Sequence, residues 1–171
     1  AVDASTGEEQ WRFKRDRRVI SSPTVADGTV FVGSDDNNLY AVDATTGEQQ
    51  WRFKTDRRVI SSPTVAGGTV FVGSDDDNLY AVDATTGEQQ WHFVTDSWIK
   101  SSPAVADGTV FVGSHDGYLY AMDAQVSGSS QVAEDNQLST AASSTPLFSV
   151  TAVLLSTFLM FSVMLTMLLG P

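Results

Sequence analysis

The residues most able to bind a charged ligand lie in two kinds of turn that recur along the chain. One kind carries arginine pairs, Arg17 with Arg18 and Arg57 with Arg58, and the other kind is acidic, as at residues 75–77. Guanidinium groups bind carboxylate and phosphate oxygens, often through two parallel hydrogen bonds. The acidic turns lack the alternating oxygen ligands of a calcium loop. The arginines therefore form a candidate binding face for a protein partner or an anionic ligand, with solvated surface ion pairs as the alternative, and we predict that the turns hold no metal.

A single aromatic residue interrupts the arginine turns. The third copy of this turn has Trp98 where the second copy has Arg58. Tryptophan is enriched among the residues that carry most of the binding energy at protein interfaces. We add Trp98 to the candidate binding face, with simple packing within the fold as the alternative.

The composition excludes several classes of protein. The chain has 171 residues, a net charge of −11 and no cysteine. An acidic surface disfavours contact with the phosphates of nucleic acids, and a chain without cysteine forms no disulfide and has no thiolate nucleophile. The two histidines, His92 and His115, predict neither a zinc site nor a catalytic triad. We therefore expect no catalytic residue and no nucleic-acid partner.

The charged turns recur because the chain is a repeat. Residues 1–40, 41–80 and 81–120 align without a gap, and the first two copies differ at only five positions. Each copy contains short apolar runs separated by turn residues, such as Asp27 and Gly28, which favour a two-residue hairpin because both positions accept positive φ. Each copy therefore predicts four antiparallel strands, A to D.

The pattern within the strands predicts how the sheets pack. Strands B and C are apolar on both faces, whereas in strand D Trp51 and Phe53 alternate with Arg52 and Lys54. This pattern is typical of sheets that stack face to face with strand D on the outside. Because neighbouring strands run in opposite directions, the arginine loops between D and A lie at the same end as the acidic turns between B and C.

One motif, Ala-x-Asp-x-x-Thr-Gly-x-x-x-Trp, occurs three times in register. It resembles the tryptophan-docking motif of the β-propeller repeat of the pyrroloquinoline quinone (PQQ) type, and the resemblance covers residues 1–124. It implies a propeller in which each tryptophan packs between adjacent blades and each glycine allows a close approach. The motif residues are Ala1, Asp3, Thr6, Gly7 and Trp11; Ala41, Asp43, Thr46, Gly47 and Trp51; and Ala81, Asp83, Thr86, Gly87 and Trp91.

The predicted fold is all-β, a partial β-propeller of about three four-stranded antiparallel blades, followed by a C-terminal transmembrane helix. Residues 8–14 predict an N-terminal strand D, and the last copy provides strands A to C. Residues 125–146 are polar and predict a flexible linker. Propellers usually have four to eight blades. The chain is therefore either a piece of a larger propeller or a module whose open faces pair, for example as a six-bladed ring of two copies.

Residues 147–169 predict a membrane attachment. The segment carries no charge, and as a helix it would be about 34 Å long, enough to cross a hydrocarbon core of about 30 Å. A hydrophobic tail after a polar spacer is also typical of a glycolipid-anchor signal. Both interpretations place the protein at a membrane, and we expect the propeller to lie outside the cytoplasm.

These features favour a membrane-anchored, PQQ-like propeller that acts as a protein-binding or scaffold domain without a cofactor, similar in type to the propeller lipoprotein of bacterial outer-membrane assembly. The alternative is a piece of a quinoprotein dehydrogenase that oxidises alcohols or sugars with bound PQQ and calcium. The chain lacks the adjacent cysteine pair seen in many of those enzymes, and its near-identical blades do not form an asymmetric active site. A degenerate gene product without a function is the third possibility.

Overall fold

The computed structural model describes residues 1–125; the predicted linker from residue 126 onward and the predicted helix at 147–169 lie outside the described residues. The described part is all-β, as predicted, with eleven strands in three antiparallel sheets. Sheet 1 contains β1 (Thr24–Ala26), β2 (Thr29–Ser34), β3 (Asn38–Asp43) and β4 (Gln49–Lys54). Sheet 2 contains β5 (Thr64–Ala66), β6 (Thr69–Gly73), β7 (Asn78–Asp83) and β8 (Gln89–Val94). Sheet 3 contains β9 (Ala104–Ala106), β10 (Thr109–Gly113) and β11 (Leu119–Asp123).

The tight turns follow from residues that accept positive φ. Asp27 and Gly28 join β1 to β2 with φ of 47° and 75°, which is the geometry of the turn that matches the twist of a hairpin. Asn37 and Asp77, in the turns between strands B and C, also have positive φ, at 68° and 71°. Asparagine and aspartate enter this region more readily than other side chains. The turns predicted from the sequence are therefore confirmed.

The prediction of a strand D at the N-terminus is wrong. Residues 8–14 form no strand, and Val2 and Glu9 make an isolated bridge. A strand needs a partner along its whole length to satisfy its backbone groups, and among the described residues this segment is paired through its backbone with residues 1–3 alone, by bonds such as Gln10 N to Ala1 O at 3.0 Å. The count of about three four-stranded blades is likewise correct only in part, because sheet 3 has three strands.

The sheets stack through two hydrophobic cores. Sheet 1 and sheet 2 share one core, and sheet 2 and sheet 3 share the other. In sheets 1 and 2 the inner strands are buried on both faces, as the sequence predicted, whereas β4 and β8 alternate between covered and exposed residues. In sheet 3 the prediction is not met, because β10 and β11 alternate between covered and exposed residues. The first core contains Phe31, Leu39, Ala41, Val59, Val70, Val72, Tyr80 and Val82, and the second contains Phe71, Leu79, Ala81, Trp91, Ile99, Val110 and Val112.

Candidate functional site

The loop that precedes each sheet is bonded to the turn between strands B and C of the same sheet. The amide of Asp35 donates to the carbonyl of Arg18 at 2.9 Å, and the amide of Asp75 donates to the carbonyl of Arg58 at 2.9 Å. These bonds bring the arginine loops and the acidic turns to one end of the stack. We call this end the loop face.

Two ion pairs repeat on the loop face. Arg18 Nε lies 3.0 Å from Asp35 Oδ2, and Arg58 Nη2 lies 2.7 Å from Asp75 Oδ2. The carboxylates are almost completely buried, with side chains 6% and 4% exposed, while the arginine side chains are 76% and 46% exposed. Each guanidinium therefore covers a buried carboxylate and still presents free N–H donors to solvent.

The third unit replaces both members of this pair. Trp98 takes the place of the arginine and His115 takes the place of the aspartate, with ring centroids 5.9 Å apart. The backbone contact is kept, because the amide of His115 donates to the carbonyl of Trp98 at 2.9 Å. Lys100 Nζ lies 4.3 Å from the centroid of a Trp98 ring, a cation–π geometry. The third loop thus keeps its shape but exchanges an ion pair for an aromatic surface.

The structure brings part of the candidate binding face together around a cavity of about 180 Å³. Arg57, Arg58 and Trp98 line it, and Asn37 and Asp75 complete its wall. Trp98 is 41% exposed. The cavity is therefore a mixed surface of cations, a buried carboxylate and one exposed indole, suited to contacts with another polypeptide.

The other candidate arginines lie one unit earlier. Arg18 covers Asp35, and Arg17 is exposed beside it in the same loop. Neither lines the cavity beside Trp98.

Sequence reasoning missed the role of His115, which it treated as an isolated turn residue. The signal was present in the repeat itself. The position of Arg18 and that of Asp35 change together in the third copy, to Trp98 and His115. A comparison of paired positions between the copies would have identified the contact.

The tryptophans of the repeated motif contact the turn of the following unit. The Trp11 side chain lies on Gly47, where an added Cβ would be 2.7 Å from the indole ring, and its Nε1 donates to the carbonyl of Ala44 at 3.1 Å. Trp51 makes the same two contacts one unit later, with Gly87 and with the carbonyl of Ala84.

The third tryptophan of the motif, Trp91, has a different environment from the first two. Trp91 is 9% exposed, and its Nε1 has no hydrogen-bond partner among the described residues. By alignment, the position of Gly47 and Gly87 is Ser127 in the next copy, which lies outside the described residues.

The aspartates of the motif hold the turn before each strand D. Asp43 Oδ1 accepts hydrogen bonds from the amides of Thr45 and Thr46 at 2.8 Å, and Asp83 does the same one unit later. These bonds lower the pKa of both carboxyls. In the first copy, bonds from the Ser5 hydroxyl and the following amides lower the pKa of Asp3 to about 2.

The remaining motif residues support the same turns. Thr46 Oγ1 accepts a bond from the amide of Glu48 at 3.2 Å. Ala41 and Ala81 are buried and pair across the sheet with the motif tryptophans Trp51 and Trp91. The equivalent residues of the other copies are Thr6 and Gly7 in the first turn and Thr86 in the third turn. Ala1 also belongs to the motif, and its amino group donates to the carbonyl of Trp11 at 2.8 Å.

Within residues 1–125, no group of three or more His, Cys, Asp or Glu side chains is placed to hold a metal ion. The cavity of about 180 Å³ beside Trp98 is smaller than the roughly 300 Å³ at which small-molecule sites begin. An open cavity of about 380 Å³ lies on the outer face of sheet 1, beside Trp11 and Val42. No helix within residues 1–125 is long and apolar enough to cross a membrane.

Comparison with known proteins places the chain among PQQ-like propellers. The family model described as outer membrane protein assembly factor BamB matches residues 1–158. No curated protein matches the sequence.

Several solved structures resemble part of the chain. BamB from Moraxella catarrhalis is 24% identical with a TM-score of 0.65, over 71% of this chain and 38% of that chain. A quinohemoprotein alcohol dehydrogenase from Pseudomonas putida is 28% identical with a TM-score of 0.61, over 68% of this chain and 20% of that chain. The computationally designed protein Ika8 is 18% identical with a TM-score of 0.64, over 71% of this chain and 38% of that chain. This chain thus spans 38% or less of the length of each of these proteins.

Proposed function

Because the chain belongs to the family of the outer membrane protein assembly factor BamB, which consists of PQQ-like β-propeller repeat proteins, we propose that it is a non-catalytic propeller module that binds a protein partner. The proposed contact surface is the part of the loop face formed by Arg57, Arg58 and Trp98. The partner is recognised by an exposed indole flanked by guanidinium groups.

One observation carries this proposal. The third unit differs from the second at eleven positions, including His92, Val94 and Ala104 in the strands, and on the loop face it replaces both members of one contact, with Trp98 and His115. The substitution removes an ion pair, a kind of contact that contributes little to the free energy of unfolding at a surface. It introduces a tryptophan that is 41% exposed. Aromatic residues and arginine are enriched at protein interfaces. The replacement of both members of an ion pair by an exposed aromatic pair is a change expected of a binding face.

The proposal includes attachment to a membrane. In it, residues 1–124 form the propeller module, residues 125–146 are a tether, and residues 147–169 are a membrane-spanning or anchor-signal segment that holds the module outside the cytoplasm. The uncharged stretch of the last segment supports this.

Site-specific photo-crosslinking tests the binding face. A photoreactive phenylalanine analogue is placed at position 98 of the full chain in cells of its native organism, and the matched control carries it at Asp107, in the turn between strands A and B at the opposite end of the stack. We expect discrete protein adducts from position 98 and none from position 107. Equal adducts at both positions, or no adduct at position 98, would show that this surface does not bind a partner.

A second variant separates binding from folding. The double substitution Trp98→Arg with His115→Asp restores the pair seen in the first two units, Arg18 with Asp35 and Arg58 with Asp75, so the sheet is expected to keep its stability. Adducts formed from a neighbouring photoreactive position, Ser97, should then be lost. If they persist unchanged, the aromatic pair is not the binding determinant.

Membrane attachment is tested independently. The full chain should remain with membranes after alkaline carbonate washing, whereas a chain shortened after residue 146 should be released. Release of both forms would refute the anchor.

The likeness to a quinohemoprotein alcohol dehydrogenase supports one second candidate, a piece of a PQQ-dependent enzyme. The full chain is incubated with PQQ and calcium, and binding is followed by absorbance and by dye reduction with alcohols or sugars. Quinone binding with dye reduction would favour this candidate over the binding module, and the donor set of the described residues leads us to expect neither.

A further inference from the structure

The cavity beside Trp98 contains a cation that the fold itself does not neutralise. Within residues 1–125 the ion pairs are those of Arg12, Arg18 and Arg58. Arg57 also lines the cavity, but it forms no ion pair with any of these described residues. Its exposed guanidinium therefore presents free N–H donors at the cavity wall.

The acidic turn next to the cavity is engaged in other contacts. Asp75 accepts from Arg58 at 2.7 Å. Asp76 Oδ2 accepts from the hydroxyl of Tyr80 and from the amide of Asp56, both at 3.0 Å. Both carboxylates are thus bonded to groups other than Arg57, which leaves its charge available to an incoming anion.

The cavity also has an aromatic wall. The Trp98 residue is 41% exposed, and its position is supported by Lys100, with Nζ 4.3 Å from a ring centroid, and by the ring of His115. All three residues differ from their equivalents in the second unit. The cavity therefore combines a cationic group with an apolar surface, and both are accessible to a ligand.

The size of the cavity limits what can enter it. Its volume is about 180 Å³, whereas sites for free small molecules begin at roughly 300 Å³. A single side chain of a larger partner is the better match. A guanidinium binds a planar carboxylate through two parallel hydrogen bonds, and an aliphatic stem gains free energy when an indole shields it from water. A free phosphate or sulfate would use only the cationic group.

We infer that the cavity takes the side chain of a glutamate residue of the partner. The carboxylate accepts hydrogen bonds from the guanidinium of Arg57, and the two methylene groups lie against the indole of Trp98. Glutamate fits better than aspartate because it has one more methylene group to place on the ring. This inference rests on the proposed function, since the partner supplies the side chain.

The preceding unit provides a matched control within the chain. Arg17 occupies the loop position equivalent to Arg57 and is also exposed, but it does not line the cavity. The residue that corresponds to Trp98 one unit earlier is Arg58. An acidic side chain beside Arg17 would therefore meet cations without the aromatic wall.

A titration with amino-acid probes tests the inference directly. The full chain is labelled with 5-fluorotryptophan and held in detergent micelles, and its fluorine NMR spectrum is recorded. The chain has four tryptophans, and the Trp98 signal is identified by its loss in Trp98→Phe. The probes are N-acetylglutamate amide, N-acetylglutamine amide, which has the same shape without the charge, and inorganic phosphate.

We expect N-acetylglutamate amide to shift the Trp98 signal to saturation, with an affinity at least about tenfold higher than that of the glutamine probe, because only the former makes charge-assisted hydrogen bonds. Arg57→Gln should weaken binding of the glutamate probe by about tenfold, and Arg17→Gln should leave it unchanged. Unchanged signals of Trp51 and Trp91 in both variants would show that the sheets remain folded.

Three outcomes would overturn the inference. The first is equal affinity for the glutamate and glutamine probes, and the second is equal binding by the wild type and Arg57→Gln. The third is binding of phosphate as tight as that of N-acetylglutamate amide, which would define a general anion site.

The titration uses no partner, so its result is separate from the test of the proposed function. Selective binding of the glutamate probe without crosslinked adducts from position 98 would count against the proposed function alone. Adducts from position 98 without such selectivity would keep the binding face and refute the acidic side chain as its ligand.

Discussion

At the scale of single residues, two glycines with the same backbone conformation allow the energetic cost of backbone strain to be distinguished from the cost of steric crowding. Gly28 and Gly87 both have φ of 75°, but an added Cβ at Gly28 meets nothing within 4 Å, whereas at Gly87 it would lie 2.7 Å from the ring of Trp51. We expect Gly28→Ala to cost about 1 kcal/mol from the left-handed conformation alone, and Gly87→Ala to cost about 2 kcal/mol more from overpacking. Urea unfolding of the full chain measures both. Equal losses would show that the tryptophan can move away freely.

The motif aspartates predict a dependence of stability on pH. The pKa of Asp3 is lowered to about 2 in the folded protein from an ordinary value of 3.8, and those of Asp43 and Asp83 are lowered as well. A carboxyl that is harder to protonate when folded stabilises the fold above its unfolded pKa, and this contribution is lost as the pH falls through the folded pKa. Stability from these turns should therefore be complete above about pH 4 and decline towards about pH 2.

The matched variant replaces these three aspartates with asparagine. Asparagine keeps an oxygen that accepts the amide bonds but does not titrate. The fall in thermal midpoint between pH 5 and pH 2, followed by circular dichroism, should be smaller in the triple variant than in the wild type. An identical fall in both proteins would assign acid sensitivity to other carboxylates.

At the scale of secondary-structure elements, glycines set how closely neighbouring sheets approach. An added Cβ at Gly73 would lie 2.7 Å from the carbonyl oxygen of Ile99, whereas at Gly113 the nearest atom is 3.6 Å away. Gly73→Ala should cost about 3 kcal/mol because sheets 2 and 3 must separate, and Gly113→Ala should change the stability of a dilute, monomeric sample by less than about 0.5 kcal/mol. Thermal unfolding of both variants at low concentration provides the measurement. A similar, large loss in both would mean that strand conformation, and not sheet contact, requires glycine.

The elements that the sequence predicted correctly are those whose causes are local. Asp27 with Gly28 defines a hairpin turn through its own backbone preferences, and the alternation of Trp51 with Arg52 marks an outer strand. The strand at residues 8–14 was predicted by the same alternation, but its formation depends on a partner strand that is not adjacent along the full segment. The alternation of side chains identifies a segment that can form a strand, whereas the presence of an adjacent partner strand determines whether the strand forms.

The contacts of the loop face could be predicted less well. Alternating strand direction placed the arginine loops beside the acidic turns correctly. The pairing of Trp98 with His115 depends on which backbone positions meet across the loop, as in the bond between His115 N and Trp98 O. Hydropathy patterns carry no information about such a contact, although the joint change of two repeat positions does.

At the scale of the whole molecule, nearly identical sheets differ mainly in how many neighbours they have. Within residues 1–125, sheet 2 contributes one face to each of the two cores, and sheet 3 contributes one face only. In a stack of repeats, stability is approximately the sum of each unit's own stability and the interfaces with its neighbours. Sheet 3, with one interface fewer, should therefore open at lower free energy than sheet 2.

Hydrogen exchange of a dilute sample of the full chain can measure this gradient, because the equivalent strands have almost the same sequence. Amides of Val72 in β6 and Tyr80 in β7 should exchange at least tenfold more slowly than those of Val112 and Tyr120, their counterparts in sheet 3. A tenfold difference corresponds to about 1.4 kcal/mol, less than one buried interface is expected to contribute. Equal exchange in both sheets would mean that the stack opens as one cooperative unit.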